Sequence, residues 1–316
     1  METTYLVLVA VLPIFLIIGC GTLARLLRVL DTSADLSLMK LVINLLYPAL
    51  IFSSILGNDT LRKLENLILP PLLGFGTVAI GFALSTFVAD KLKLGSPQDC
   101  RTFSFITGIH NSAYFTLPIV ALLFDYETIG VLLVYNLGVE LAIWIIGIGL
   151  ILPQQSSTSF LKRTLSAPVV AILLATWLNY YRFDQDTPKF IFKATKLMGQ
   201  CAIPLGLILI GATLADFKPK LKFFTQFRIS LWASTIRLVF LPIILLSIAY
   251  LLPLSTKMEQ VIVVQVAMPC AVFPIVLAQH YGGSSEIAFK IVVSTTLLSF
   301  LTIPFWIQTG MKLFGL

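Results

Sequence analysis

At 316 residues with a formal net charge of +7, the chain is 58% hydrophobic, 12% charged and has a mean hydropathy of +0.95. Soluble globular proteins carry about 25% charged residues, so most of this surface does not face water. The apolar runs are continuous rather than alternating over ~10 residues, which excludes a β-barrel and points to an all-α integral membrane protein. The positive charges lie between those runs, as juxtamembrane anchors do, and are not a nucleic-acid signal.

A helix needs about 20 apolar residues to span a bilayer, and ten candidate segments follow one another. The first, Tyr5–Ala24, lacks a preceding basic region and reads as a retained helix, closed by Arg25 and Arg28. The second, Leu38–Leu56, contains Asn44 and Pro48; the third, Leu67–Val88, has Pro70 and Pro71 near its start. The fourth, Thr102–Phe124, is interrupted by His110, Asn111 and Pro118, and the fifth, Ile129–Leu152, holds Glu140 near its middle. A polar link, 153–163, separates two halves, 1–152 and 164–316. Beyond it come Thr164–Tyr181 with Pro168, Leu197–Ala215 with Gln200 and Pro204, and Ile229–Leu252 with Arg237 and Pro242. The ninth, Val261–Gln279, carries Pro269 and Pro274; the tenth, Ile287–Ile307, carries Thr295, Thr296 and Pro304. Cys20, Cys100, Cys201 and Cys270 form no C-x-x-C pair, and two lone histidines make no metal site, so no metal and no cofactor are expected.

The halves repeat. Pro48, Pro97 and Pro118 recur as Pro204, Pro253 and Pro274 at one offset of 156. Five segments per repeat, an odd number, invert the second copy in the membrane. Inverted repeats with discontinuous helices in matching positions are a mark of secondary transporters, whose sites lie at those breaks. The fourth and ninth segments are the most broken matching pair. A proline removes one helix bond, and irregular backbone at bilayer depth survives only buried in protein or lining a cavity. Pro118, Pro269 and Pro274 are therefore expected to make a crossover and, with Gln265 and Cys270 beside it, to form the substrate-binding site. Thirteen Lys and Arg residues flank the odd-numbered connections, six of them Lys93, Lys162, Arg163, Lys218, Lys220 and Lys222, against eight elsewhere. This bias puts the odd connections, the link among them, in the cytoplasm and both termini outside.

Glu140 and Arg237 are ionisable groups deep in apolar segments, where such groups face a cavity or a partner. A structural ion pair, proton coupling through Glu140 and substrate attraction by Arg237 are all open readings. His110 and Asn136 are candidate cavity-lining residues, Asn136 one helical turn from Glu140. Gly74, Gly76 and Gly81 are expected to permit close helix packing. No nucleotide loop, zinc-protease or serine-hydrolase motif occurs, so no enzymatic activity is expected and ATP cannot power this chain directly.

Four stretches together resemble the auxin efflux carrier family, in particular its bacterial malate-permease-like members: Leu46–Phe52, Asn111–Pro118, Ile203–Leu214 and Ala267–Gly282. The resemblance implies ten transmembrane helices in two inverted five-helix repeats, a fold similar to the bile-acid sodium symporters. Segments one, two, six and seven would form a scaffold, through which members are often homodimers. Segments three to five and eight to ten would form a transport domain, placing Glu140 and Arg237 in the same body, with segments four and nine crossing at their breaks. Members export organic anions. By this match Asn111 contacts the substrate carboxylate, its amide offering donors without a positive charge; a plain helix–helix hydrogen bond is the competing reading. The chain has a short link where many plant members have a long loop, and Cys270 where plant carriers tend to have Gln.

The expected function is a secondary transporter in the cell (inner) membrane, exporting small organic carboxylate anions by alternating access. An interior-negative potential supplies about 2.3 kcal/mol per charge per 100 mV, enough for roughly a 40–50-fold outward gradient of a monoanion. The alternatives are a sodium- or proton-coupled organic anion symporter and a membrane sensor that binds its anion without moving it. Thr295, Thr296, Gln265 and Asn111 offer oxygens for a sodium ion, which Arg237 would repel.

Overall fold

The computed structural model describes residues 2–92, 96–152, 166–185, 187–216 and 227–316. The link 153–163 and the anchors Lys93, Lys162, Arg163, Lys218, Lys220 and Lys222 lie outside the described residues. The described chain is helical, in the order α1 (Glu2–Leu26), α2 (Thr32–Ile55), α3 (Glu65–Leu92), α4 (Pro97–Gly108), α5 (Thr116–Leu123), α6 (Tyr126–Ile151), α7 (Ala167–Tyr180), α8 (Lys189–Ala215), α9 (Phe227–Tyr250), α10 (Thr256–Ala267), α11 (Pro274–His280) and α12 (Ser285–Phe314). Six of these are long and apolar enough to cross a membrane: α2, α3, α6, α8, α9 and α12. Within α1 and α7 the apolar stretches are shorter, Val11–Leu26 and Ala167–Tyr180.

The outward faces are apolar. Leu12, Leu16 and Leu23 on α1, Leu72 and Phe87 on α3, and Leu297, Leu301 and Phe305 on α12 are exposed. Buried polar side chains instead gather inside, among them Thr107, His110, Asn111, Asn136, Gln265, Thr295 and Thr296. A soluble protein has the reverse pattern; here the solvent matched to the surface is lipid.

Prolines shape the long helices. Pro48 and Pro242 have no N–H for the carbonyls of Asn44 and Leu238, and each follows a π-helical turn, Val42–Leu46 in α2 and Ile236–Phe240 in α9. The carbonyl of Leu238, deprived of its helical donor, accepts the indole N–H of Trp306 at 2.6 Å.

Small residues set the packing. α1 lies against α8 so closely that a Cβ at Gly211 would stand 1.9 Å from the carbonyl oxygen of Ile18, and Thr22 Oγ1 donates to the Gly211 carbonyl at 2.9 Å. α3 meets α6 equally closely, with a Cβ at Gly138 falling 1.7 Å from the Pro71 oxygen and one at Gly74 2.1 Å from that of Tyr135. Gly81 faces the Gly108 carbonyl, but Gly76 meets nothing within 4 Å, so its expected packing role is not fulfilled. α1, α2, α7 and α8 pack on one another, as do α3–α6 with α9–α12; the two groups meet where α1 touches α5 and α12, and where α6 touches α2 and α7.

The connections carry the ion pairs. Arg25, read from sequence as a lipid anchor, is buried between Asp35 at 2.5 Å and Asp216 at 3.1 Å, tying the end of α1 to α2 and α8. Lys290 is likewise buried, 2.7 Å from Glu286. At the opposite end Arg62 binds Asp184 at 2.8 Å, and Lys257 binds Asp125.

Replacing Gly211 by Ala forces a methyl into the α1–α8 backbone contact. It is expected to lower the melting temperature by several degrees, since overpacking costs about 1–3 kcal/mol. Gly76→Ala, in open space, leaves it unchanged or slightly raised; differential scanning fluorimetry in detergent reads both.

Candidate functional site

The fourth and ninth segments are both broken, and they are broken against each other. α4 starts with a capping box, Ser96 with Asp99 and Pro97 at the first helical position, and stops at Gly108. Ile109 is extended at φ −100°, ψ 116°. α10 stops at Ala267, because Met268 precedes Pro269 and is driven into the extended region at φ −74°, ψ 142°. The extended stretches pair antiparallel, His110 opposite Cys270. Asn111 N–H donates to the Pro269 carbonyl at 2.8 Å, and Ala271 N–H donates to the Ile109 carbonyl at 3.0 Å. The two bonds are related by the local two-fold axis of an antiparallel pair.

This changes the role of Pro118. It is the third residue of α5, within the first turn, where a helix needs no donor. The break lies upstream, over residues 109–115, and contains no proline. It is held by its partner's backbone rather than made by its own sequence. Pro118 lies eight residues beyond His110, whereas Pro274, at the start of α11, lies four beyond Cys270. The 156-residue proline offset and the paired residues thus differ in register by four.

Side chains brace the first break. Gln265 Nε2 donates to Asn136 Oδ1 at 3.1 Å and to the Ser112 carbonyl at 3.4 Å, while Asn136 Nδ2 donates to the same carbonyl at 3.0 Å. Thr116 Oγ1 donates to the Asn111 carbonyl at 2.7 Å and reaches Gln265 Oε1 at 3.4 Å. Thr295 Oγ1 accepts from Cys270 N–H at 3.4 Å. Gln265, Asn136, Pro269 and Cys270 therefore hold the crossover from behind and do not line the adjoining cavity; Asn136 bonds to Ser112, not to Glu140.

That cavity, about 180 Å³, is bounded by Ile43 and Tyr47 of α2, Ile109–Tyr114 of the break, Glu140, Ile143 and Trp144 of α6, Ser166 and Pro168 at the start of α7, and Ala271–Pro274. Of the expected site residues it brings together Asn111, His110, Glu140 and Pro274. Asn111 is 2% exposed and its Oδ1 accepts Phe115 N–H at 3.4 Å, which leaves Nδ2 without a partner. Both ring nitrogens of His110 are also unpartnered; Gln265 comes near without hydrogen-bond geometry. Tyr47, Tyr114 and Trp144 were not foreseen. Tyr114 lies inside the Asn111–Pro118 motif, and its ring stacks where Gly206 of α8 has no side chain, a Cβ there falling 2.2 Å from the ring.

Arg237 and Glu140 form no ion pair with each other. Arg237 sits in the π-helical turn of α9 at 0% exposure, and its Nε, Nη1 and Nη2 all lack partners. Cys270, Tyr135 and His110 are within its electrostatic reach, so its charge lies behind the crossover, not in the cavity. Larger hollows exist at the ends of the molecule. One of about 420 Å³, lined by Ser54, Asn58, Tyr126, Glu127, Lys189 and Lys196 among others, lies where α2 ends and α6 begins. It is superficial, and cross-links such as Asn58 Nδ2 to the Glu127 carbonyl at 3.0 Å lie at that end.

The sequence of this lipid-matched helical bundle has relatives. The profile of the family described as "Membrane transport protein" matches residues 6–162 and 154–307. The chain belongs to this auxin-efflux-carrier-like membrane transport family. As a member of the family it is a multi-pass membrane transport protein. Two archaeal relatives are similar along nearly their whole length. An uncharacterized transporter of Methanothermobacter thermautotrophicus is 24% identical over 300 residues, 94% of this chain and 96% of the relative. The uncharacterized transporter MJ1031 of Methanocaldococcus jannaschii is 22% identical over 301 residues, with the same coverage.

An unpaired buried charge costs several kcal/mol, and replacing buried ionic groups by apolar ones is often stabilising by about 1–4 kcal/mol. Arg237→Met is accordingly expected to raise the melting temperature by several degrees. A fall in melting temperature would show that the guanidinium has a stabilising partner.

Proposed function

We propose that the protein is a secondary transporter that exports small organic carboxylate anions, binding them at the crossover cavity. The observation that carries this reading is the amide Nδ2 of Asn111, buried, unpartnered and on the cavity wall. Leaving a buried donor unmade costs about 1–3 kcal/mol, so an acceptor that enters the cavity recovers that free energy. Tyr47 and Tyr114 add hydroxyl groups, and Trp144 an indole N–H that comes near the Glu140 carboxylate without hydrogen-bond geometry. These are neutral donors suited to a carboxylate.

The molecule would work by alternating access. The ten apolar segments form two inverted five-segment repeats, in which the fourth and ninth occupy corresponding places and carry the two breaks. α1, α2, α7 and α8 serve as the scaffold, consistent with their mutual packing, and through it two copies associate as a homodimer. The remaining helices move as the transport domain. The cavity adjoins the start of α7 and the second half of α6, the end at which the odd-numbered connections lie. With those connections in the cytoplasm and both termini outside, this conformation faces inward. At the outer end, Ser54 to Tyr126 at 3.4 Å and Asn58 to Glu127 join α2 to α6 and keep the path shut.

Sodium coupling finds little support. Thr295 is engaged by Cys270 N–H and by its own helix, Gln265 by Asn136 and Ser112, and the Arg237 charge lies on that side.

In proteoliposomes the protein should move labelled carboxylates without sodium. Asn111→Ala removes a donor to a charged group, worth about 1.5–3 kcal/mol, and should weaken apparent affinity at least tenfold with little change in melting temperature. Unaltered flux in this variant would remove the support for the site. Binding without flux would make the protein a sensor.

A further inference from the structure

We propose that the cavity takes up its carboxylate together with one proton, held on Glu140. The inference rests on the reading of the cavity as the carboxylate site and adds a second occupant to it.

Glu140 and Asn111 line one cavity of about 180 Å³. Among the described residues that line it, Glu140 is the one formal charge, and no Lys or Arg is present. Among the described residues no ion pair engages Glu140; those formed lie at the helix ends and connections, and Arg237 is not within pairing distance. Among the described residues, an incoming carboxylate therefore meets a carboxylate on the wall of the same cavity and no balancing cation. At an effective dielectric constant of about 20, two carboxylates roughly 7 Å apart repel enough to weaken binding on the order of 50-fold. Adding a proton to a carboxylate oxygen of Glu140 removes the repulsion. It also turns an acceptor into an O–H donor directed at the same guest as the Asn111 amide. Each ligand then raises the affinity for the other by the same factor.

Among the described residues, the other titratable groups facing Glu140 are few. Tyr47 comes from α2, and Tyr114 and His110 from the break after α4. Trp144 stands one turn along α6, α7 contributes Ser166 and Pro168, α11 contributes Pro274, and none of these titrates. Tyrosine ordinarily ionises near pH 10, outside the working range. His110 ordinarily titrates near neutrality and would produce a pH dependence of the same sign, so it needs its own control.

The energetics change accordingly. A monoanion accompanied by one proton crosses without net charge, so voltage no longer drives it; a dicarboxylate moves one net charge. Outward flux then requires a substrate gradient exceeding the opposing proton gradient, about tenfold per pH unit where the exterior is the more acidic side.

The test is isothermal titration calorimetry of detergent-purified protein with malate, malonate and indole-3-acetate as probes. It is run from pH 6.5 to 9 in two buffers of different ionisation heat. The expected result is proton uptake approaching one per carboxylate, with affinity falling up to about tenfold per pH unit once free Glu140 is ionised. Glu140→Gln should bind with no uptake and a flat pH profile, while His110→Gln should keep the uptake. Carboxylate binding without proton uptake, or uptake that survives Glu140→Gln, would overturn the proposal and leave the carboxylate site standing. So would selective binding of a zwitterion such as alanine without uptake, its ammonium taking the proton's place. Failure of every carboxylate to bind would overturn the site itself, and this inference with it.

Discussion

Two backbone hydrogen bonds, Asn111 N–H to Pro269 and Ala271 N–H to Ile109, hold the rest of the site in place. Lipid offers no partners to an exposed amide, so a helix can be broken at depth only if something else satisfies its backbone. Here each broken helix satisfies the other. The pairing is short, and His110 and Cys270 lie face to face at its centre. Once it exists, α4 and α10 end where they do, and the chain between α4 and α5 can present side chains sideways into a cavity. Gln265, Asn136 and Thr116 fix the turn that follows, so Asn111 is positioned by other residues' hydrogen bonds while its own amide nitrogen stays unused.

Unsatisfied polar groups cluster around this pairing. His110, the Asn111 amide nitrogen, Thr107 two residues before the break, and Arg237 all lack partners. Native proteins bury few such groups, and those they retain tend to mark functional sites. Arg237 owes its setting to Pro242, which follows the π-helical turn that carries it. One proline near the middle of α9 thus connects three features: a widened turn, a carbonyl captured by Trp306, and a buried guanidinium behind the crossover.

Much of the architecture was legible in the sequence because lipid imposes so simple a rule. Among the described residues the apolar segments lie in helices, six of them long and apolar enough to cross a membrane, and the two segments richest in interruptions are the two that break. Proline chemistry located the second break correctly, since Met268 before Pro269 cannot continue a helix. It failed for the first, where Gly108 and a pairing partner 160 residues away act instead, and Pro118 merely sits in a helix's opening turn. Asn111 and Glu140 were visible as polar residues in apolar runs. Their cavity companions Tyr47, Tyr114 and Trp144 were not, because in a helix that is apolar all round no periodicity marks which face meets a cavity. The Glu140–Arg237 pair was plausible from charge alone, but the two lie on opposite sides of the crossover, which only the packing reveals.

In this mechanism the paired breaks line a polar site that is reached from one side of the membrane at a time and occupied by a carboxylate. The most direct measurement is labelling of Ala113→Cys, in a background with the four native cysteines replaced, by a membrane-impermeant maleimide in vesicles of each orientation. The expected result is labelling from the cytoplasmic face in this conformation and protection by a transported carboxylate. Labelling that is equal from both faces, or that no carboxylate slows, would contradict it.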